Sequence, residues 1–127
     1  MLHHVEINVS NLEQSIAFWE WLLLELGYTP YQRWLQGISW KHEQTYIVFV
    51  QTEEQYAEAT YHRKQIGLNH LAFYAQSREH VDDLAQKMKA RGVTILYPER
   101  YPYAGGEGHY ALYAEDPDRI KVEVVAP

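Results

Sequence analysis

The chain has no cysteine, no long apolar run and no cluster of basic residues. The absence of cysteine from the 127 residues excludes disulfides, thiol catalysis and thiolate metal ligands. The longest apolar run, residues 21–24, is far too short to span a bilayer, so no membrane association is expected. Because the net charge is −6 and basic residues occur only in short pairs, nucleic acid is not an expected partner. A strand pattern begins at residue 2 without a signal-peptide pattern, which predicts a cytoplasmic protein.

Aromatic residues are abundant by contrast. The hydrophobic fraction of 46% and the charged fraction of 22% are typical of one ordinary globular domain. The chain nevertheless contains 11 Tyr and 4 Trp. These side chains fill volume while keeping a polar group, so they suit the walls of a cavity as well as a core.

Two segments of the chain repeat one order of patterns. Residues 1–52 predict β-α-β-β-β, with a first strand at 2–9 and a helix at 10–26. Residues 67–127 predict the same order, with a first strand at 68–75 and a helix at 77–91. Residues 53–66 lack clean periodicity and are predicted to be the linker, with a helical turn near 53–57. The predicted fold class is therefore α+β, a single domain of two tandem βαβββ modules forming an eight-stranded, cup-shaped mixed sheet with the helices outside.

The helix boundaries have recognisable chemistry. Ser10 and Glu13 fit a capping box at the first helix, and Ser77 can cap the second. Gly27 and Gly92 stand where a helix C′ glycine would end each helix. The second helix carries one apolar face, made of Val81, Leu84, Ala85 and Met88.

A histidine occupies the polar face of the first strand in each module. His4 alternates with apolar residues in the first module, and His70 does so in the second, where it shares a face with Tyr74. A single histidine of this kind is more often a hydrogen-bonded structural residue than a metal ligand. Its recurrence at matched positions of two repeats favours a paired function.

Glu123 lies in the middle of the last predicted strand, between valines. A carboxylate in such a place is costly unless it is exposed, paired or bound to a cation, and an exposed edge glutamate is the alternative. Together, His4, His70 and Glu123 would supply the two imidazoles and one carboxylate of a divalent-metal site with open positions for water and substrate.

Further polar residues share these inner faces. Glu6, His109 and Tyr113 are the candidates for proton transfer, although an ion pair between Glu6 and Lys121 is an equally good interpretation. The candidates for contact with a substrate on the same faces are Asn8, Tyr74 and Lys121.

Three motifs carry a resemblance to a known family. They are Leu2-His3-His4-Val5, Asn69-His70-Leu71, and Glu115-Asp116-Pro117-Asp118 followed by Val122-Glu123-Val124. With the paired modules, they resemble the vicinal oxygen chelate superfamily, which includes glyoxalase I, fosfomycin-resistance thiol transferases, extradiol dioxygenases and bleomycin-resistance proteins. The resemblance implies one divalent metal ion (Zn, Ni, Mn, Fe or Co) on His4, His70 and Glu123. It also implies a possible homodimer in which modules of different chains pair.

The sequence departs from the family pattern at several positions. Glyoxalase I carries a further acidic residue on the last strand of the first module, where Phe49 or Ile47 would stand here, and we take Phe49 as a substrate contact. Arg119 replaces the glycine of the usual Asp-Pro-Asp-Gly turn. Lys121 is the one basic residue on the inner faces, whereas phosphonate-binding relatives gather several. Tyr113 matches a substrate-facing tyrosine of that branch.

These observations leave two main hypotheses for function. The first is a glyoxalase-like metal-dependent enzyme, of lyase, isomerase or transferase type, acting on a small oxygen-rich substrate chelated to the metal. The second is a metal-free protein of the bleomycin-resistance type that sequesters an aromatic or drug-like compound. A purely structural module is a third interpretation, which the polar inner faces disfavour.

Overall fold

The computed structural model describes all residues, 1–127, and the chain divides into two compact units, Met1–Thr60 and Tyr61–Pro127. The first unit contains β1 (His4–Val9), α1 (Leu12–Glu25), β2 (Thr29–Trp34), β3 (Gly37–His42) and β4 (Thr45–Gln51). The second contains β5 (His70–Tyr74), α2 (Arg78–Ala90), β6 (Ile95–Leu96), β7 (Ala111–Glu115) and β8 (Lys121–Val125). A short 3-10 turn at Glu54–Tyr56 lies where a helical turn was predicted. The division between the units falls inside the predicted linker.

Each unit holds one four-stranded mixed sheet, and the two sheets have the same topology. The strand orders are β1-β4-β3-β2 and β5-β8-β7-β6, with the first strand parallel to the last and the other pairs antiparallel. The α+β class and the repeated βαβββ order are therefore confirmed. The eight strands lie in two sheets of four, and neither sheet closes into a barrel.

Helix α1 packs on β3 and β4 through a side that is apolar except for the buried Ser15. Its buried residues include Trp19, whose ring stacks on Phe49 at 4.8 Å between centroids. The predicted capping box is wrong by one residue, because the cap is Asn11, whose side-chain oxygen accepts from the Gln14 N–H at 3.1 Å. An asparagine oxygen at this position satisfies a free amide as well as serine would.

Helix α2 matches its prediction closely. Ser77 caps it by accepting from the His80 N–H at 3.1 Å, and its buried residues are the predicted Val81, Leu84, Ala85 and Met88. Gly27 and Gly92 follow the two helices with φ of 89° and 74°, the left-handed conformation expected of a C′ glycine. Neither helix is long and apolar enough to cross a membrane.

Strand β2 forms one end of the first sheet and is exposed along its whole length. Its pairing with β3 shifts register between Pro30 and Arg33. Trp34, at the end of the strand, lies so close over Gly37 that a Cβ there would overlap its ring.

The start of the second unit is held to the β7–β8 turn by an ion pair. Arg63 contacts Glu115 at 2.9 Å, and the two side chains are only 11% and 13% exposed. Arg63 also donates to the backbone carbonyl of Arg119 at 3.3 Å. These contacts fix the chain that leads into β5.

Candidate functional site

The open face of the second sheet collects most of the predicted site residues. In the parallel pair β5–β8, His70 lies opposite Lys121 and Ala72 opposite Glu123, while in the pair β7–β8 Tyr113 lies opposite Glu123. Because partners in register share one side of a sheet, these side chains face the same way. The alternation predicted from the sequence therefore holds in this module.

Glu123 is the most buried charged group on this face, with a residue exposure of 5%. One carboxylate oxygen, Oε1, is hydrogen-bonded to His109 Nε2, and the other, Oε2, lies 3.1 Å from His70 Nε2. Tyr113 also hydrogen-bonds to the carboxylate. Polar groups therefore surround the buried carboxylate on three sides, and His109 and Tyr113 can donate to it.

The contact between His70 and Glu123 needs a shared cation or proton. His70 Nδ1 lies 2.7 Å from the side-chain oxygen of Asn69, which can accept an Nδ1–H. With its single proton on Nδ1, a neutral imidazole presents a lone pair at Nε2 to Glu123 Oε2, whereas an imidazolium would donate Nε2–H to it. Two lone-pair atoms face each other favourably only when a positive group lies between them, and an orienting partner on the far nitrogen is typical of histidine metal ligands.

His109 lies two residues before β7, directly after the glycine-rich loop 104–108. Unlike His70, His109 has no second hydrogen bond to its ring. Its proton can therefore lie on Nε2, from which it can donate to Glu123. Gly105 lies against this ring and against the Tyr113 hydroxyl, so that a Cβ at residue 105 would come within 2.7 Å of His109 Cδ2. The glycine allows the loop to approach both side chains.

Tyr113 remains a neutral phenol on this face. Burial, together with the negative charge and hydrogen bond of Glu123, raises the pKa of Tyr113 to about 12. Its hydroxyl therefore keeps its proton throughout the physiological range and acts as a donor.

An apolar cavity of about 450 Å³ opens beside this group. It is lined by Tyr74, His109, Val125, Ala126 and Pro127. The Tyr74 side chain stands out from β5, with the residue 74% exposed. A ligand in this cavity would contact an aromatic ring and an imidazole within reach of the Glu123 carboxylate.

The first module presents its predicted residues on one exposed face of β1. His4, Glu6 and Asn8 are all exposed, alternating with more buried neighbours. His4 stacks on Tyr46 with ring centroids 4.7 Å apart, and its Nδ1 lies 2.8 Å from His3 Nδ1. The His4 side chain is therefore exposed at the surface of its own sheet.

The assignment of Phe49 as a substrate contact is wrong. Phe49 is 1% exposed and lies in the core against Trp19 and Trp40. The register of β1 with β4 explains the error, because Glu6 lies opposite Val48 and shares its face, whereas Phe49 lies opposite Ile7 on the helix side. Val48, and not Phe49, therefore shares the face of the first sheet that carries Glu6.

The chemistry of the donors fits a divalent ion, although no complete site is present. No group of three or more His, Cys, Asp or Glu side chains has the arrangement needed to hold a metal ion. His70 and Glu123 nevertheless offer a nitrogen and an oxygen 3.1 Å apart, close to the separation of about 3.0 Å between neighbouring ligands at right angles on a metal bound at about 2.1 Å. The second module thus supplies a donor pair.

Sequence reasoning missed two features of this site. The Tyr97 hydroxyl lies 3.2 Å from the Lys121 ammonium, and Gly105 sets how closely the loop approaches His109. The run of glycines before His109 was the available indication of a close backbone approach.

Comparison with known proteins places the chain in a family. The model of the Glyoxalase/Bleomycin resistance protein/Dioxygenase superfamily matches residues 1–124. The chain belongs to this superfamily, as the resemblance of its motifs implied.

Relatives that are between 26% and 65% identical cover nearly the whole chain. The uncharacterized protein YqjT of Bacillus subtilis (strain 168) is 56% identical over 126 residues, which are 99% of this chain and 98% of that protein. The crystal structure of a candidate glyoxalase from Bacillus halodurans is 65% identical, with a TM-score of 0.98 and coverage of 100% of this chain and 96% of the other. A glyoxalase/bleomycin resistance protein from Albidiferax ferrireducens T118 is 26% identical, with a TM-score of 0.77 and coverage of 100% and 98%.

More distant structures share the fold alone. A lactoylglutathione lyase from Agrobacterium tumefaciens is 18% identical, with a TM-score of 0.68 and coverage of 99% and 92%. A fosfomycin resistance protein from Listeria monocytogenes is 24% identical, with a TM-score of 0.70 and coverage of 98% and 89%.

Proposed function

We propose that the chain is a glyoxalase-like enzyme that uses a divalent metal ion to bind a small oxygen-rich substrate. In this proposal His70 and Glu123 are metal ligands, and His4 of the first module is the third. The observation that carries the proposal is the position of His70 Nε2, 3.1 Å from Glu123 Oε2, with the Asn69 side-chain oxygen at the other ring nitrogen.

The ligand types reduce the number of candidate metal ions but do not select one. Imidazole and carboxylate donors suit Zn, Ni, Mn, Fe or Co, and affinity order alone does not choose among them. When bound, such an ion would act as a Lewis acid and stabilise negative charge on a substrate oxygen.

Two neighbouring side chains are candidates for proton transfer and hydrogen-bond donation. His109 borders the cavity and hydrogen-bonds Glu123 through Nε2, so its ring is in position to accept or donate a proton beside a bound molecule. Tyr113 keeps its proton and can donate a hydrogen bond to an oxygen in the site. Glu6, on the exposed face of β1, remains a further candidate base.

Substrate contacts are proposed on both modules. Tyr74 offers a ring at the cavity and Lys121 a positive charge on the same face of β8, while Asn8 offers an amide on β1. Phe49 is excluded from this set by its burial.

Metal titration tests the proposal directly. Chelator-treated protein is titrated with Zn²⁺ and Ni²⁺ by calorimetry, and Glu123→Gln is compared with Glu107→Gln, an equal charge change at an exposed loop residue. We expect Glu123→Gln to weaken binding about 100-fold or more and Glu107→Gln to leave it unchanged, because only the first removes a charged donor. Unchanged affinity in a folded Glu123→Gln variant would refute the metal site.

A second candidate function is metal-free binding of an apolar compound, favoured by the cavity of about 450 Å³ and its lining by Tyr74, Val125 and Pro127. The same titration separates the two candidates. A wild-type protein that binds no divalent ion would favour this second function.

A further inference from the structure

Lys121 is a cation without an anion. Its ammonium nitrogen lies 3.2 Å from the Tyr97 hydroxyl and 5.0 Å from the centroids of the Tyr97 and Tyr113 rings. The carboxylate opposite it in register, Glu115, is engaged by Arg63 at 2.9 Å and by Arg119 at 3.7 Å. In a chain of net charge −6, an unpaired and half-buried ammonium is not explained by a shortage of carboxylates.

The pair formed by Lys121 and Tyr97 has more donors than acceptors. An ammonium has three N–H groups and no lone pair, so in this contact the Tyr97 oxygen must accept. The Tyr97 O–H is then directed elsewhere, and the chain provides no acceptor for it. At least two N–H groups and one O–H group are therefore left for something other than the protein.

A second cation lies beside this pair. The Arg100 guanidinium stands over the Tyr97 ring, 4.7 Å from its centroid, and contacts only an exposed Glu99 at 3.6 Å. Positive charge near a phenol makes its O–H a stronger donor. The local environment of Tyr97 is therefore arranged for an acceptor that carries negative charge.

We propose that Lys121 and Tyr97 form a subsite for a carboxylate group of the ligand. A carboxylate has two acceptor oxygens on one side and can take both donors at once. Residues two apart on one strand face are about 7 Å from each other, so a small acid held at Lys121 would extend to Glu123. The assignment of this subsite to a substrate site rests on the proposed function. Binding of a carboxylate by Lys121 and Tyr97 itself requires no metal ion.

Binding of small acids to the metal-free protein tests this subsite. Chelator-treated protein, labelled with ¹⁵N, is titrated with acetate and with benzoate at constant ionic strength. The neutral amides acetamide and benzamide are the matched control ligands. We expect saturable shifts at residues 97 and 121 with an acid, in the millimolar range, and none with the amides.

Three variants assign the binding to particular groups. Lys121→Met should weaken acid binding about tenfold, since it removes a charged hydrogen bond, and Tyr97→Phe should weaken it several-fold while keeping the ring. Lys89→Met makes the same change at an exposed position on α2 and should have no effect. If Lys121→Met does not fold, Tyr97→Phe alone still decides the outcome.

The possible results separate this subsite from the metal proposal. Saturable binding of acetate or benzoate that Lys121→Met or Tyr97→Phe weakens supports the subsite, whether or not the protein binds a metal ion. Absence of saturable binding by both acids, or binding in both variants that equals that of the wild type, overturns it even if the metal titration succeeds.

Discussion

At the scale of single residues, Asn69 decides which nitrogen of His70 faces Glu123. Its side-chain oxygen lies 2.7 Å from Nδ1, which leaves Nε2 on the side of the carboxylate. Such an outer partner fixes both the ring orientation and the proton position of a ligand histidine.

Replacement of Asn69 therefore should weaken metal binding without removing any ligand. We expect Asn69→Ala to reduce affinity for Zn²⁺ about tenfold in calorimetry, because the His70 ring loses its fixed orientation. Asn69→Asp keeps an acceptor oxygen and should retain or increase the affinity. Equal affinity in wild type and Asn69→Ala would show that this hydrogen bond does not act on the metal.

Gly105 leaves the space that the Tyr113 hydroxyl and the His109 ring occupy. A Cβ at this position would overlap the Tyr113 hydroxyl and the His109 ring, so Gly105→Ala must displace the loop or both side chains. We expect a loss of about 1–3 kcal/mol in the free energy of unfolding, measured in urea. In the double variant with Tyr113→Phe the cost of Gly105→Ala should shrink, because the hydroxyl is gone. Additive costs would mean that the overlap is relieved in some other way.

Residue-level prediction from the sequence succeeded where strand alternation controls direction. His70 and Glu123 were expected on one face, and the β5–β8 register places them there. Phe49 was misplaced because its face depends on the pairing of β1 with β4, which a single sequence does not state. The bond between His109 and Glu123 depends on a loop conformation, which has no periodicity to read.

At the scale of structural elements, one carboxylate on α2 holds both ends of the long loop before β7. Asp82 Oδ1 accepts from Tyr101 Oη at 2.5 Å and from Tyr110 Oη at 2.6 Å. Tyr110 directly precedes β7 and directly follows His109. The helix thus helps to set where the loop returns to the sheet.

Removal of this carboxylate should destabilise the second module. We expect Asp82→Ala to lower the free energy of unfolding by about 2–4 kcal/mol, since two phenols lose a charged acceptor. Asp83→Ala is the matched control, because Asp83 is more than half exposed and pairs only with Lys87 at 3.0 Å, and its cost should stay at about 0.5 kcal/mol or less. Similar losses in the two variants would indicate that Asp82 acts only through its negative charge on the helix and that its bonds to the two tyrosines do not stabilise the fold.

Element existence was easier to predict than element ends. The four buried residues of α2 and its Ser77 cap follow from helical periodicity and capping chemistry. The start of α1 was displaced by one residue, since Ser10 and Asn11 are both good caps and the sequence does not rank them. Strand β6 is only two residues long, because the chain leaves the sheet at Tyr97, where φ is 54°.

At the scale of the whole molecule, several tyrosines make the stability of the fold depend on pH in the alkaline range. Burial and then the hydrogen bond to Asp82 raise the pKa of Tyr101 above its ordinary value of 10.0. The hydrogen bond to Asp82, followed by burial, raises the pKa of Tyr110, and burial beside Glu123 raises that of Tyr113 to about 12. The folded chain therefore keeps protons that the unfolded chain releases above about pH 10.

This linkage has a defined sign. The contribution of these tyrosines to stability is fully present below about pH 10 and is lost as the pH rises through their folded pKa values. We expect the urea midpoint to be level between about pH 8 and 9 and to fall above about pH 10, and to fall less in Tyr101→Phe, which removes one of these protons. An equal fall in wild type and Tyr101→Phe would contradict the raised pKa of Tyr101.

Association of the chain stays a prediction at this scale. A homodimer is implied by the family resemblance, and sedimentation at micromolar concentration would test it. A strictly monomeric protein would remove the homodimer from the proposal.

The exposed strand β2 has a consequence for how the molecule behaves in a crowded solution. A flat, unpaired edge that displays Tyr31 and Trp34 would invite strands of other molecules to add to the sheet and seed insoluble fibres. Pro30 offers no N–H to an incoming strand, and the register shift before Arg33 bends the edge away from a straight template. The irregularity of this strand thus protects the protein from aggregation by its own most exposed edge.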